Sequence, residues 1–245
     1  LLHGTVVIDG WLVSSLGEVS LAAMGLAATI AGIVSGIIFA FSNALQIRTA
    51  QAFGTEDAVF RKSVLASGLV LGIGIGFFGV AVLWLFGQGV LLAIAPSASV
   101  ASDAWSYLSI FLFVVLAESV GQNLGSHFNG CGRTKIPLFG YLCSVPINIV
   151  LSVLLIHGYF GFPAMGVAGA ALGSAIAISV QAGFLASMAW HLDGDLFHTK
   201  GWRNGTFSAT IRRHVAFGWP IAITFVSANY AARVSMLIFS QMSIA

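Results

Sequence analysis

The stretch VVIDGWLV, Val6 to Val13, sets one carboxylate, Asp9, in an apolar run with no basic neighbour. Taking a charge out of water is costly, so an acid in such a place is expected to face a cavity, a cation or an exchangeable proton. In a later apolar run Ser144, Asn148 and Ser152 recur at i, i+4 and i+8, which puts all three on one face of a helix. Glu118, Gln122 and Ser126 repeat the same spacing in another run. A carboxylate converging with an amide and hydroxyls offers oxygen ligands to a sodium ion at Asp9 and Asn148, or a carboxyl group that exchanges a proton. The second stripe would line a substrate route, unless Glu118 is merely paired with Arg233, the third ionisable residue inside an apolar run.

The elements that must position these groups are membrane helices. Hydrophobic residues make up 58% of the 245-residue chain, charged residues only 7%, and the mean hydropathy is +0.97. An ordinary soluble domain carries roughly 25% charged residues, so a soluble enzyme is excluded. Splitting the chain at polar and Gly/Pro clusters predicts helices over 1–13, 21–47, 63–86, 105–128, 136–156, 167–190 and 215–242. That is about seven crossings of a ~30 Å hydrocarbon core, the first incomplete. The chain is expected to begin inside a helix, and no signal peptide can be read from it.

Nine of the ten basic residues, Arg48, Arg61, Lys62, Arg133, Lys135, Lys200, Arg203, Arg212 and Arg213, fall in or beside the second, fourth and sixth connections. The positive-inside tendency then puts these even-numbered connections in the cytoplasm, makes the protein a multi-pass cell-membrane protein, and runs the first helix outward. At 1.5 Å per residue Asp9 lies roughly 7 Å below the outer end of its helix and Asn148 about 13 Å below the end of its own, so the two can share a depth. Gly32/Gly36, Gly72/Gly76, Gly121/Gly125 and Gly169/Gly173 have the small-xxx-small spacing that lets transmembrane backbones approach closely.

Other features carry no chemistry. Cys131 and Cys143 are expected to be free thiols. His127, His157, His191, His198 and His214 sit near run ends or in connections without a metal-ligand pattern, where headgroup contact is expected. GIGIG, Gly72 to Gly76, lies inside an apolar helix with no adjacent lysine, so nucleotide binding is rejected, as is binding of nucleic acid. An intramembrane hydrolase with paired acids is disfavoured because Asp9 and Glu118 lie at different depths and no catalytic motif surrounds either.

The segments LGEVSLAAMGLA, AQAFGTEDAVFRK, FNGCGRTKIP and GYFGFPAMGVAGAALGS, in that order and at these spacings, resemble the multidrug and toxic compound extrusion (MATE) family. The resemblance implies an all-α polytopic bundle built from two six-helix lobes, of which residues 1–190 would be the N-terminal lobe, 191–214 a cytoplasmic linker and 215–245 the first helix of the second lobe. It implies that Asp9 is the helix 1 acid of the family's cation-coupling site, with Asn148 beside it and Ser152 where many members carry a second amide or acid. Ala228 stands where some members carry a helix 7 acid, and Asn229 and Arg233 receive no role. Glu118, Gln122 and Ser144 are the candidates for the substrate cavity.

The implied activity is a cation-coupled (H+ or Na+) secondary antiporter that exports amphipathic, often cationic organic compounds by alternating access; it is not an enzyme and needs no cofactor beyond the coupling ion. Its partners would be a small organic substrate, the lipid bilayer and the remaining C-terminal lobe. A lipid-linked precursor flippase of the same superfamily is the alternative, disfavoured because Arg233 is the one basic residue at membrane depth. A non-transporting membrane scaffold would leave the buried Asp9 without explanation.

Overall fold

The computed structural model describes the backbone of residues 2–194 and 206–242 and the side chains of residues 7–194 and 207–227. Apart from one 3-10 turn, Tyr159–Gly161, all its regular elements are α-helices. They are α1 (Leu2–Ser14), α2 (Glu18–Gly54), α3 (Ala58–Ile94), α4 (Ala98–Gly130), α5 (Lys135–His157), α6 (Val167–Asp193) and α7 (Thr206–Met242). Among the described residues α2, α3, α4, α5 and α6 are each long and apolar enough to cross a membrane. The protein is an all-α multi-pass membrane bundle.

The helices outrun the lengths expected from hydropathy. α2 and α3 have 37 residues each, about 55 Å of rise against a hydrocarbon core of ~30 Å. Hydropathy marks only the part in lipid, whereas the backbone hydrogen bonds continue until a capping group ends them. The connection expected over RTAQAFGTEDAVFRK contracts to Thr55, Glu56 and Asp57, with Asp57 Oδ1 accepting from the Phe60 amide at 2.8 Å. The one expected over FGQGVLLAIAPSASVASD contracts to Ala95, Pro96 and Ser97, where Ser97 Oγ accepts from the Val100 amide at 3.3 Å. α7 likewise begins at Thr206, so Arg212 and Arg213 are helical.

α4 is the central helix, packed on α2, α3, α5 and α6. Tyr107, Leu108, Phe111 and Val115 of α4 fill the core against Ala23, Ala27 and Ala31 of α2 and Ala170 and Ala171 of α6. The alanines matter because lipid tails are as apolar as any side chain, so helices associate through close packing rather than through escape from water. α7 lies against α2 and α3.

The glycine pairs contribute unequally. A β-carbon at Gly72 or Gly76 would strike Asn123 or Ser119 of α4, and one at Gly169 would come within 2.6 Å of the Leu155 backbone of α5. Gly36 is pressed by Phe225 of α7, whereas Gly121 and Gly125 have ordinary contacts and Gly32 faces open space. Of these four pairs, the glycines at the α3–α4 and α5–α6 seams and Gly36 against α7 are the ones a β-carbon would crowd.

Two of the five histidines expected at headgroups correct that expectation. His127 and His214 are fully buried. His127 Nε2 lies 3.3 Å from Asp193 Oδ2, which also accepts from Arg133 Nη1 at 2.9 Å, tying the α4–α5 connection to the end of α6. His214 lies 3.0 Å from Ser67 Oγ of α3 and 3.1 Å from the Phe41 carbonyl of α2. Neighbouring helix ends cover both rings, which position along the chain does not disclose. His157 and His191 are exposed, and His198 lies outside the described residues.

Candidate ion-exchange site

Asp9 sits in the penultimate turn of α1 and is fully buried where this short helix meets α5 and α6. Its two oxygens are held by hydroxyls from different helices. Ser152 Oγ of α5 donates to Oδ1 at 3.0 Å, and Ser174 Oγ of α6 donates to Oδ2. Both serines accept in turn from Asn148 Nδ2, Ser174 at 2.9 Å and Ser152 at 3.4 Å. One amide thus orients two hydroxyls, and the two hydroxyls orient one carboxyl group. The i, i+4 spacing on α5 predicts the Asn148–Ser152 pair, and Gly173, which abuts Ser152, lets α6 approach closely enough to bring in Ser174.

Among the described residues no basic side chain pairs with Asp9. Among the described residues the ion pairs are those of Asp193 with His127 and Arg133, far along the bundle. Two further polar atoms are buried here without a hydrogen-bond partner, the Asn148 Oδ1 and the Tyr107 hydroxyl, and Tyr107 of α4 is within electrostatic reach of Asp9. Buried polar groups without partners are rare and call for an explanation. The arrangement offers a carboxyl group, two hydroxyl oxygens and a free amide oxygen to one small cation or to a proton.

The structure thus brings Asp9, Asn148 and Ser152 together. It adds Ser174 and Tyr107, which the sequence reading omits: Ser174 hides in the small-residue run GAALGSA and Tyr107 in the polar start of α4, SDAWSYLS. The three residues expected along a substrate route take no part in the hydrogen bonds to Asp9. Glu118 and Ser144 are buried, at 3% and 2% exposure, and Gln122 is half-buried. Glu118 accepts from Ser35 Oγ at 2.7 Å and from Gln122 Nε2 at 3.4 Å, whereas Ser144 Oγ donates to Gln181 Oε1 at 3.1 Å. Ser126 is buried on the same side of α4. The side chains of Ala228, Asn229 and Arg233 lie outside the described residues.

Comparison with known proteins agrees with this architecture. The MatE family model matches residues 4–154, from α1 almost to the end of α5. A probable multidrug resistance protein NorM of Burkholderia pseudomallei (strain K96243) is 29% identical over 228 residues, which is 89% of this chain and 46% of that protein. The crystal structure of the Vibrio cholerae MATE transporter VcmN in the bent form superposes with a TM-score of 0.82 at 21% identity, covering 98% of this chain and 53% of that one. A crystal structure of MATE in the bent conformation gives 0.82 at 19%, covering 93% and 50%. The chain spans about half the length of the curated relatives it matches. With the family model covering residues 4–154, more than half of the chain and the segment that holds Asp9, the chain belongs to the MatE family.

Proposed function

We propose that this chain supplies the ion-exchanging lobe of a multidrug efflux transporter, a cation-coupled antiporter for amphipathic and cationic organic compounds and not an enzyme. The observation that carries this reading is the enclosure of Asp9 by neutral donors from α5 and α6 with an unpartnered amide oxygen beside it. A structural ion pair would hold a fixed counter-charge; a carboxyl group whose partners are hydroxyls can accept a proton or a sodium ion and give it back. The relatives named as multidrug resistance proteins support the substrate class.

Ion exchange at Asp9 would act on packing directly. Ser152 and Ser174 each use their single proton to reach the carboxylate. A proton bound at one carboxylate oxygen obliges the hydroxyl on that oxygen to turn and accept while the other can go on donating, and a sodium ion would compete with both hydroxyl protons, so the hold of α5 and α6 on α1 changes. Among the described residues α1 packs mainly on α2, α5 and α6, so a change in the two serine contacts acts on two of its three main seams. Shape change in this lobe, set against the second lobe of the full-length protein, would provide alternating access. The positive connections between α2 and α3 and between α4 and α5 support a cytoplasmic position of those ends and an outward one for Asp9, from where the coupling ion would enter.

Full-length protein in proteoliposomes provides the test. Outward movement of a fluorescent lipophilic cation should require an inward proton or sodium gradient, and imposing each gradient alone identifies the ion. Export unaffected by collapse of both gradients would overturn the coupled mechanism.

A further inference from the structure

A second carboxyl group is enclosed in the same bundle, and the Asp9 network does not include it. Glu118 lies near the middle of α4, is 3% exposed, and faces Ser35 at the middle of α2. A carboxylate has about four acceptor positions. This one receives two neutral hydrogen bonds, from Ser35 Oγ at 2.7 Å and Gln122 Nε2 at 3.4 Å, and among the described residues no basic side chain lies within ion-pair distance.

We propose that Glu118 is a second proton-exchanging carboxyl group, distinct from Asp9, with Gln122 as the partner that serves both of its protonation states. When Glu118 is ionised, the Ser35 hydroxyl and the Gln122 amide both donate to it, as the structure shows. When it is protonated at Oε1, the Gln122 side chain turns over and accepts that hydrogen with its own carbonyl oxygen, which needs no movement of either helix. A purely structural tie between α2 and α4 would not require this. Ser35 could reach an amide equally well, and an amide avoids the cost of enclosing an ionisable group in the membrane. Gln122 is half-buried while Glu118 is not, so the proton enters and leaves past Gln122. The O–H bond formed at Glu118 breaks again on release, and the proton returns to the aqueous phase.

The surroundings of Glu118 fit this role. From α5 the titratable group facing it is Tyr141, which is hydrogen-bonded to Gln181 of α6. Gln181 accepts from Ser144, and Ser144 is one helical turn from Asn148. α3 presents Gly72 and Gly76 to this part of α4. The polar groups along the α5–α6 seam thus run from the neighbourhood of Asp9 to that of Glu118 with no fixed positive charge between them among the described residues.

The inference rests on the transport reading, and proton counting separates the two. Full-length protein, purified in weakly buffered detergent solution, receives saturating tetraphenylphosphonium, and the protons released per cation bound are recorded across the pH range. Glu118→Gln should lower the release by about half and remove one step of its pH profile while Asp9→Asn removes the other. Release from Glu118→Gln that matches wild type in amount and pH dependence overturns the proposal and leaves Asp9 as the exchanging group. No release from the wild type overturns the proposal for Glu118 and leaves sodium as the coupling ion of the transport reading. Should Glu118→Gln fail to fold, Ser35→Ala takes its place: loss of one of the two donors should move the Glu118 step to a different pH, and an unmoved profile overturns the proposal.

Discussion

Gly173 of α6 lies against Ser152 of α5 so closely that a β-carbon on the glycine would stand 2.6 Å from Ser152 Oγ, 2.9 Å from its amide nitrogen and 3.1 Å from its Cα. That hydroxyl is one of the two holding Asp9. The small-residue seam and the ion-exchange site are therefore one construction. Gly173→Ala is expected to push the seam apart at a cost of about 1–3 kcal/mol and to loosen the Asp9 shell. Thermal unfolding of the full-length protein in detergent should show a lowered Tm, whereas Gly183→Ala, with open space around its Cα, should leave it unchanged.

Ser174 makes the second contact to Asp9 and is the better acceptor for Asn148. Ser174→Ala removes both bonds without adding bulk. The bond to Asp9 is the one that acts on ion binding directly, and a hydrogen bond between membrane helices is worth about 0.6–2 kcal/mol, which predicts an apparent affinity for the coupling ion changed by about 3- to 30-fold. Transport rate as a function of pH or sodium concentration measures it. Asn148→Ala, which removes the amide that orients both serines and itself reaches the carboxyl group, should fall in the same range.

At the other end of the bundle, Asp193 joins Arg133 to the buried His127. Arg133 has 40% of its side chain exposed, so its share of the interaction is screened by solvent. Asp193→Asn is expected to destabilise the fold by about 1–3 kcal/mol, mainly by replacing the carboxylate that His127 and Arg133 share with a neutral amide whose one oxygen is the weaker acceptor. The lowered Tm should appear without loss of ion selectivity, because this cluster is remote from Asp9.

Sidedness follows from the basic connections. Ser208, exposed near the start of α7, is predicted to face the cytoplasm. In a background with Cys131 and Cys143 replaced by serine, Ser208→Cys should resist an impermeant maleimide added to intact cells and react after permeabilisation. Labelling from outside would invert the orientation.

Much of the site is legible in the amino-acid sequence because polarity inside an apolar run is costly and stands out. Asp9 is visible as a lone acid, and Asn148 with Ser152 as a helical stripe. Ser174 is not visible, since one serine among small residues reads as packing, and only the tertiary approach of α6 at Gly173 turns it towards Asp9. The Ser35–Glu118 bond joins residues 83 apart in the chain, beyond any local pattern. Helix ends were the least legible elements, because polar ends such as Arg48 to Gly54 continue the helix outside the hydrocarbon core while hydropathy reports only the core. His127 and His214 show the same limit: burial at the end of a helix depends on what its neighbours cover.

Replacement of Asp9 by asparagine addresses the mechanism most directly. Asparagine keeps the size of the protonated acid and much of its hydrogen bonding but cannot ionise, so it fixes the site in its neutral state. Efflux of a fluorescent lipophilic cation, driven by an imposed gradient of the coupling ion, is to be measured in vesicles holding equal amounts of folded full-length wild type and Asp9→Asn. The predicted result is a fall of at least about tenfold, to near the rate without a gradient, equivalent to ~1.4 kcal/mol or more of lost coupling. Efflux by Asp9→Asn at the wild-type rate would contradict the account and reduce Asp9 to a packing residue between α1, α5 and α6.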